Sequence, residues 1–363
     1  INSNSASSRI VDAIAGATHL IKTGSGTLTL TGANTFTGGT TINDGTLALG
    51  ANDVLPNAGV VDVSGGTLAM GAYSDTVGAV TLSSGAITGT TGVLTGASYA
   101  VTNSADTTTI SAVLAGTSGL TKTGAGTLVL SGHNTYTGDT TVTAGSLSLA
   151  ANDVLYDGGA VVVNGGTLAI GAYSDTVGAV ALSSGSITGA GGVLTGASYA
   201  VTNTTGTTTI SAALAGTTGL TKTGAGTLVM SGHNTYTGGT TVTAGTLSLG
   251  ANDVFYDGGA ILVNGGTLAI GAYSDTVDLV TLSSGAITGG AGVVSANGYS
   301  ITNASGTTTV SANLAGAGGL TKTGAGNLDL SGANSYIGTT TISAGTLTLS
   351  ANNALSRNQL TSN

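Results

Sequence analysis

Short runs of alternating inward and outward positions recur along the chain, and turn residues separate them. Thr121–Thr123 forms a short predicted strand, Gly124–Gly126 a turn, and Thr127–Leu130 a second strand. Leu128 and Leu130 lie on one side of that second strand, which predicts a single buried face. No stretch holds the i, i+3, i+4 apolar pattern of a helix over three turns. The pattern therefore predicts an all-β chain with strands of about three to five residues.

These runs have a regular period. They open at Thr121, Thr141, Val161, Ala181 and Val201. The period is therefore about 20 residues, and five periods make a unit that repeats after about 100 residues. In proteins built from such repeats, each repeat buries its apolar side only against its neighbours. With Gly, Asn or Ser at the corners, the pattern predicts a parallel β-helix, or solenoid, with five rungs per repeat. About eighteen rungs spaced about 4.8 Å apart predict a rod about 85 Å long.

Residues at equivalent inward positions of successive rungs are predicted to form one continuous interior. In three consecutive rungs they are Leu128, Leu130, Leu147, Leu149, Leu168 and Ile170. The next rung offers only Ile187. In the one after it, Ile210, Leu214 and Leu220 are predicted to point inward.

An unchanging period favours one solenoid over residues 1–363 with no internal domain boundary. The repeats are expected at about 19–118, 119–218 and 219–318, with a partial repeat at 319–363 and an incomplete preceding unit at 1–18. Neither end shows an evident polar cap. We therefore expect that flanking sequence was left out, or that the ends meet other molecules.

Composition narrows the class of protein. Hydrophobic residues make up 40% of the chain and charged residues 6%, which argues against disorder. The net charge of -9 would repel phosphate backbones, so nucleic acid is not an expected partner. No run of eighteen apolar residues occurs, so we expect no membrane insertion by this segment. The absence of cysteine permits export of the unfolded chain without disulfide traps.

One motif recurs in every repeat. It reads KTGAGTLVLSGHNTYTGDTTVTAGSL from Lys122 to Leu147. Its copies are Lys22 to Leu47, Lys222 to Leu247 and Lys322 to Leu347. The motif resembles the passenger-associated β-strand repeat of bacterial autotransporters. That resemblance implies a right-handed β-helix, secreted through an outer-membrane barrel and exposed at a Gram-negative cell surface, often as the stalk of an adhesin.

Histidine is the first candidate for catalysis or metal binding. His133 and His233 take the same place in their repeats, but Ala33 and Ala333 stand at that place in the other two. A site that needed imidazole would fail in half of the repeats, and His19 is isolated. We therefore predict no catalytic, cofactor-binding or metal-binding histidine.

The carboxylates are all aspartates. Two sets recur once per repeat, namely Asp53, Asp153 and Asp253, and Asp75, Asp175 and Asp275. Asp153 and Asp175 lie about one rung apart and could approach each other, and glycoside cleavage needs two suitably spaced carboxyls. No third ionisable group joins this pair, however. Capping of turns by Asp and Asn is the expected role, and calcium binding is a weak alternative.

Lys122 stands where other rungs have Val142, Val162 and Leu182, and it recurs as Lys22, Lys222 and Lys322. Because a buried unpaired ammonium is costly, we expect a local offset that brings the amine to solvent or to an aspartate.

The aromatics Phe36, Tyr136, Tyr236 and Tyr336, and Tyr99, Tyr199 and Tyr299, also recur. We expect them to cover rung corners with a wet hydroxyl, the alternative being a sugar-binding ladder. Thr121 and Thr141 begin a row of threonines that Val161 breaks, whereas a flat ice-binding face needs an unbroken row.

Together these features predict a non-enzymatic extracellular stalk or adhesin segment at a bacterial surface, with no cofactor. It would project a binding region and contribute to adhesion, virulence, self-association or biofilm formation. The expected partners are further copies of the chain, associating laterally or end to end, and a glycan or protein receptor on a host or other surface. A filament-forming or ice-binding solenoid is the alternative, followed by a polysaccharide-active β-helix enzyme.

Overall fold

The computed structural model describes residues 7–355. It shows two compact units, which divide after Gly178. In both units the regular structure of the described residues is strand, and every described strand pair is parallel, as in the pairing of Leu128 with Leu147 or of Leu228 with Leu247. The predicted all-β parallel solenoid is confirmed, and its rungs repeat after about 20 residues, the separation of Leu114 from its partner Asn134 on the next rung.

The first unit contains the strands that precede the division. They are β1 (Ser8–Ile10), β2 (Ala15–Gly16), β3 (Leu20–Lys22), β4 (Thr27–Leu30), β5 (Thr35–Phe36), β6 (Thr40–Ile42), β7 (Thr46–Leu49), β8 (Val61–Gly71), β9 (Asp75–Gly89), β10 (Val93–Val101), β11 (Thr107–Ile110), β12 (Val113–Ala115), β13 (Leu120–Lys122), β14 (Thr127–Leu130), β15 (Thr140–Val142), β16 (Ser146–Leu149) and β17 (Val161–Gly171).

The division falls inside β18 (Asp175–Gly189). The strands that follow are β19 (Val193–Val201), β20 (Thr207–Ile210), β21 (Ala213–Ala215), β22 (Leu220–Lys222), β23 (Thr227–Met230), β24 (Thr240–Val242), β25 (Thr246–Leu249), β26 (Ile261–Gly271), β27 (Asp275–Gly289), β28 (Val293–Ile301), β29 (Thr307–Val310), β30 (Asn313–Ala315), β31 (Leu320–Lys322), β32 (Asn327–Leu330), β33 (Thr340–Ile342) and β34 (Thr346–Leu349).

Each rung passes through three faces, and each face is a stack of parallel strands. Face A contains β13 and β15, face B contains β14 and β16, and face C contains the first residues of β10 together with β12. The second unit repeats this arrangement with β22 and β24, β23 and β25, and β19 and β21.

Some strands are much longer than the three to five residues predicted. β8, β9 and β10 span 11, 15 and 9 residues because each continues around a corner and contributes to more than one face. β9 pairs with β10 on faces C and A and with β11 on face B. Gly85 makes one of these corners, with a φ of 87° that favours glycine.

The six residues predicted to form the interior are all buried, with at most 3% of their surface exposed. Ile187, Ile210, Leu214 and Leu220 are buried as well, so the predicted inward positions are confirmed. The fourth rung contributes more than Ile187, however. Val177 in the first unit and Val180 and Leu182 in the second are also buried there.

The period of the rungs is an average rather than a constant. Ile87 pairs with Ile110, a step of 23, and Ile287 pairs with Val310 by the same step. Val142 pairs with Val163, so the sequence alignment of Lys122 with Val162 was wrong by one residue. Because neighbouring residues of a strand point to opposite sides, a shift of one residue exchanges inside for outside.

The repeat boundaries and the single solenoid over the whole chain stay predictions. Ile1 and residues 356–363, on which the expectation of uncapped ends depends, lie outside the described residues. Between residues 7 and 355, no helix is long and apolar enough to cross a membrane.

Candidate functional site

Surface charge in the described part of the chain is almost wholly negative. All four lysines are buried, which leaves Arg9 as the exposed basic residue between residues 7 and 355. Of the fifteen aspartates, Asp75, Asp175 and Asp275 are buried, and the other twelve are exposed or half-buried. The described surface therefore carries many carboxylates and almost no basic side chain.

His233 lines a surface cleft of about 200 Å³ together with Thr235, Tyr256 and Asp257, and we call this the second cleft. Its imidazole is held by a hydrogen bond of 2.6 Å from Nδ1 to the backbone oxygen of Asp253. Tyr256 is 39% exposed, and Asp257 is exposed beside it. The cleft thus combines an aromatic ring, a carboxylate and an oriented imidazole on the surface of the second unit.

The same residue types recur one repeat earlier in the first unit. His133, Thr135, Tyr156 and Asp157 occupy the equivalent sequence positions, and we call them the first cleft. Nδ1 of His133 lies 2.7 Å from the backbone oxygen of Asp153, which matches the geometry of the second cleft.

His19 has a different setting. Its Nδ1 contacts the backbone oxygen of Gly38, and its Nε2 lies 2.8 Å from Oγ1 of Thr41. No group of three or more His, Cys, Asp or Glu residues that could hold a metal ion occurs among residues 7–355.

Asp175 is buried at the start of β18, in the first unit, and caps a turn of the preceding rung. Its Oδ2 accepts the N–H groups of Val154 and Leu155 at 2.8 and 3.0 Å, and its Oδ1 has no partner. Asp75 and Asp275 make the equivalent pairs of bonds. Burial raises the pKa of each of the three carboxyls to about 6, although the N–H bonds oppose this shift.

A second buried side chain continues this capping. Asn134 accepts a hydrogen bond from the N–H of Leu114 through Oδ1 and donates one through Nδ2 to the carbonyl of Val154. Both hydrogen bonds are 2.8 Å long. Since the N–H of Val154 binds Asp175, four successive rungs are joined by one column of side-chain bonds. In the second unit Leu214, Asn234, Val254 and Asp275 form the same column.

The four repeated lysines are fully buried, so the prediction that the amine reaches solvent was wrong, and Lys22 reaches an aspartate through the backbone carbonyl of Asp44. Nζ of Lys22 donates to the carbonyls of Thr23 and Asp44 at 3.0 and 3.1 Å and also contacts that of Gly24. Nζ of Lys122 contacts the carbonyl of Gly124 in the same way. Burial lowers the pKa of all four ammonium groups, and backbone oxygens of the turns satisfy them.

The predicted wet hydroxyl of the repeated tyrosines was also wrong. Tyr136 is fully buried, and its hydroxyl lies 2.7 Å from Oγ1 of Thr140. The Tyr99 hydroxyl bonds the carbonyls of Leu94 and Ala115 at 2.5 and 2.6 Å, which joins two rungs. Burial raises the pKa of Tyr99 and of Tyr136 to about 12. These rings are core residues, so they form no sugar-binding ladder.

A larger groove of about 580 Å³ lies on the second unit. Leu279, Asn297, Thr321 and Thr339 are among its lining residues. Leu279 is 40% exposed and stands where the other repeats have Ala79 and Ala179. The residues that line this groove therefore differ from those at the same positions in the other repeats.

The threonine row ends after Thr141, as expected, but the residue that breaks it is Val162 and not Val161. Thr121 pairs with Thr141, and Thr141 pairs with Val162. Two adjacent threonines do not make an extended flat face.

The family model described as the passenger-associated-transport-repeat matches residues 20–49, 120–149, 220–249 and 320–354. Residues 120–149 correspond to β13 through β16 and include the buried Lys122, Asn134 and Tyr136. Recognition of the recurring motif as a passenger-associated repeat is confirmed.

An adhesin from Brucella suis biovar 1 (strain 1330), named Adhesin BmaC autotransporter, is 36% identical to this chain over 240 residues. The aligned region covers 62% of this chain and 7% of that protein. The chain therefore corresponds to a small part of the curated relative. No solved structure matches it.

Proposed function

We propose that this chain, which matches the passenger-associated-transport-repeat at four places, is a non-enzymatic stalk or adhesin segment of an autotransporter passenger, displayed on a bacterial surface. The observation that carries the proposal is the placement of the matched repeats. Each contributes strands to faces A and B, and its most distinctive polar residues are buried and bonded to backbone. Such repeats build a scaffold, and the relative's name supports adhesion as its purpose.

The aspartates support the non-enzymatic part of the proposal. Asp175 is 2% exposed, and one of its oxygens already binds two N–H groups, whereas Asp153 is exposed. A glycosidase needs two carboxyls that both reach the scissile bond. We expect the pure protein to release no reducing or unsaturated ends from pectin, alginate or hyaluronan. Release that Asp153→Asn or Asp175→Asn abolishes would overturn this.

Surface display is the part of the proposal to test first. The chain is placed between an export signal and an outer-membrane barrel in a Gram-negative host, and intact cells are treated with protease. We expect the chain to be degraded on intact cells while a periplasmic control protein survives. A chain that stays protected inside cells with an intact control, although the barrel is inserted, would contradict surface export.

Self-association and biofilm formation are finer parts of the same proposal. Ile337 is 79% exposed and Leu279 is 40% exposed, and both lie on the second unit. Exposed apolar side chains next to an uncharged groove favour contact with another copy of the chain.

A further inference from the structure

We propose that the first and second clefts each bind a cationic side chain, guanidinium or ammonium, of a basic polypeptide. The proposal concerns the surface of the isolated chain, so it stands whether or not the chain acts as an adhesin. Three groups in each cleft carry it, namely the tyrosine ring, the histidine and the aspartate.

The tyrosine ring is braced and presents one face outward. A Cβ atom on Gly258 would lie 2.8 Å from Cε1 of Tyr256, so the ring rests directly on the glycine backbone. The same holds for Gly158 and Tyr156, also at 2.8 Å. Tyr256 is 39% exposed and Tyr156 is half-buried, so part of each side chain is open to solvent. A fixed aromatic face attracts cations through the negative potential of its π electrons.

The histidine offers an acceptor to the same space. Its Nδ1 lies 2.6 Å from a carbonyl oxygen of Asp253. A carbonyl oxygen only accepts hydrogen bonds, so Nδ1 must carry the proton. In the neutral imidazole, Nε2 then presents a lone pair. His133 is set in the same way by Asp153.

With the carboxylate of Asp257, the second cleft therefore presents three groups that favour an N–H cation. A guanidinium suits this set because it is planar, stacks on aromatic faces and donates several hydrogen bonds. The charge of the described surface reinforces the preference, since twelve aspartates are exposed or half-buried and Arg9 is the exposed basic residue between residues 7 and 355. The same field disfavours phosphates and acidic sugars.

The first repeat provides a natural negative control. Ala33, Pro56 and Asn57 replace the histidine, tyrosine and aspartate there. The turn itself is kept, because the N–H of Gly59 donates to the Pro56 carbonyl at 2.8 Å, as Gly259 does to Tyr256 at 2.8 Å. Ala58 stands where the other two repeats have Gly158 and Gly258, and its Cβ would meet a tyrosine ring placed at position 56. The quadruple variant A33H/P56Y/N57D/A58G should therefore create a third cleft on an existing turn.

The test is a titration of ring-labelled tyrosine by NMR at about 0.15 M salt, where loose electrostatic attraction is screened. The probe is N-acetyl-arginine amide, and its neutral counterpart is N-acetyl-citrulline amide. We expect the rings of Tyr156 and Tyr256, assigned through tyrosine-to-phenylalanine variants, to shift saturably. The citrulline probe should bind at least about fivefold more weakly. The quadruple variant should add a third responding ring.

Matched variants separate the cleft from general charge. Asp257→Asn should weaken binding only at the second cleft, and Tyr256→Ala should remove that site. Asp106→Asn removes an equal charge elsewhere and should change neither ring. The resonances of the buried Tyr136 and Tyr236 report whether each variant is folded.

The proposal fails if the rings do not respond to the arginine probe. It also fails if citrulline or methyl glucoside shifts them equally, or if Asp106→Asn weakens binding as much as Asp257→Asn does. A folded quadruple variant without a third response would contradict the assignment of the histidine, tyrosine and aspartate.

Discussion

Asp75, Asp175 and Asp275 each bind two backbone N–H groups through one carboxyl oxygen, while the other oxygen is buried without a partner. That second oxygen is where a proton is held most easily, because protonation removes the buried charge and leaves both N–H bonds in place. Burial raises the pKa of each of these carboxyls to about 6. The aspartate carboxyl that joins successive rungs is therefore also a titrating group.

The pH dependence of stability follows from that shift. An aspartate has a pKa of about 3.9 in an unfolded chain, so between about 4 and 6 the folded state binds more protons than the unfolded state. We expect the melting temperature to rise as the pH falls from 7.5 through 6 to 5. Circular dichroism at both ends of this range measures it.

Asp175→Asn should reduce this rise, because one of the three groups no longer titrates. Asp106→Asn changes the same charge on an exposed residue that does not act on these carboxyls, and it should leave the rise unchanged. A melting temperature that is flat or lower at pH 5 would contradict the role of the buried carboxyls.

Lys222 gives a second prediction at this scale. Its ammonium contacts the carbonyl of Gly224 in a turn that excludes solvent. Lys222→Met should leave buried carbonyls unsatisfied and lower the free energy of unfolding by about 1–3 kcal/mol. Urea denaturation measures this, with the exposed Thr223→Ala as the control. Equal stability of the methionine variant and the parent would show that the ammonium contributes nothing.

The sequence could predict that the lysines and tyrosines recur but not how deeply they lie. The partners of Lys122 and Tyr99 are backbone carbonyls, which leave no mark on side-chain spacing. The capping role of the aspartates was more accessible, because Asp and Asn at turns commonly bond nearby backbone.

At the scale of the element, the turn between faces A and B is tightly constrained. Gly145 has a φ of 63°, and a Cβ there would meet the carbonyl oxygens of Gly124 and Gly126. Gly145→Ala should therefore lower stability by about 2 kcal/mol or more, through both backbone strain and this contact. The neighbouring Ala144→Ser should change stability by no more than about 0.5 kcal/mol. Thermal or urea unfolding of the two variants distinguishes them, and a tolerated alanine at 145 would mean that the turn relaxes easily.

Strand β17 provides the test of the interior. Leu168 is fully buried, whereas the adjacent Ala169 is half-buried and points the other way. Leu168→Asp should lower the free energy of unfolding by about 4 kcal/mol or more, because it places an unpaired charge in the core. Ala169→Asp should have a much smaller effect. Similar melting of both variants would contradict the assigned faces.

Much of the element scale followed from the sequence. The alternation around Leu128 and Leu130 identified face B correctly, since side-chain period and burial coincide there. The long corner-turning strands and the step of 23 from Ile87 to Ile110 were missed. Glycine at a corner signals a turn in a sequence even where the hydrogen-bonded ladder continues through it.

At the scale of the whole molecule, the clefts show how the fold creates a site that the sequence hides. His233 and Tyr256 lie more than one rung apart along the chain, and the stacking of rungs brings them to one cleft. The recurrence of the histidines did not by itself indicate a site, and the tyrosines at 156 and 256 drew no prediction. The signal available was the joint replacement of all three residue types in the first repeat.

Self-association belongs to this scale as well. Ile337 and Leu279 stand where the other repeats have threonine and alanine, so the expected contact is centred on the second unit rather than offered by every repeat. We expect sedimentation velocity to show reversible association that increases with protein and salt concentration, because salt screens the aspartates. Ile337→Asn should reduce it, whereas Val11→Asn changes an exposed apolar residue of the first unit as a control. A single monomeric species under all conditions would exclude self-association and leave the spacer role.

Adherence of bacteria that display the chain is the most direct test of its function as an adhesin segment. Cells carrying the chain on an outer-membrane barrel are compared with cells carrying the barrel alone, at equal surface density, on immobilised host-cell matrix. We predict several-fold more attached cells with the chain, and loss of that excess when soluble chain is added as a competitor. Equal attachment of the two strains, with display verified by protease treatment, would contradict the adhesin role.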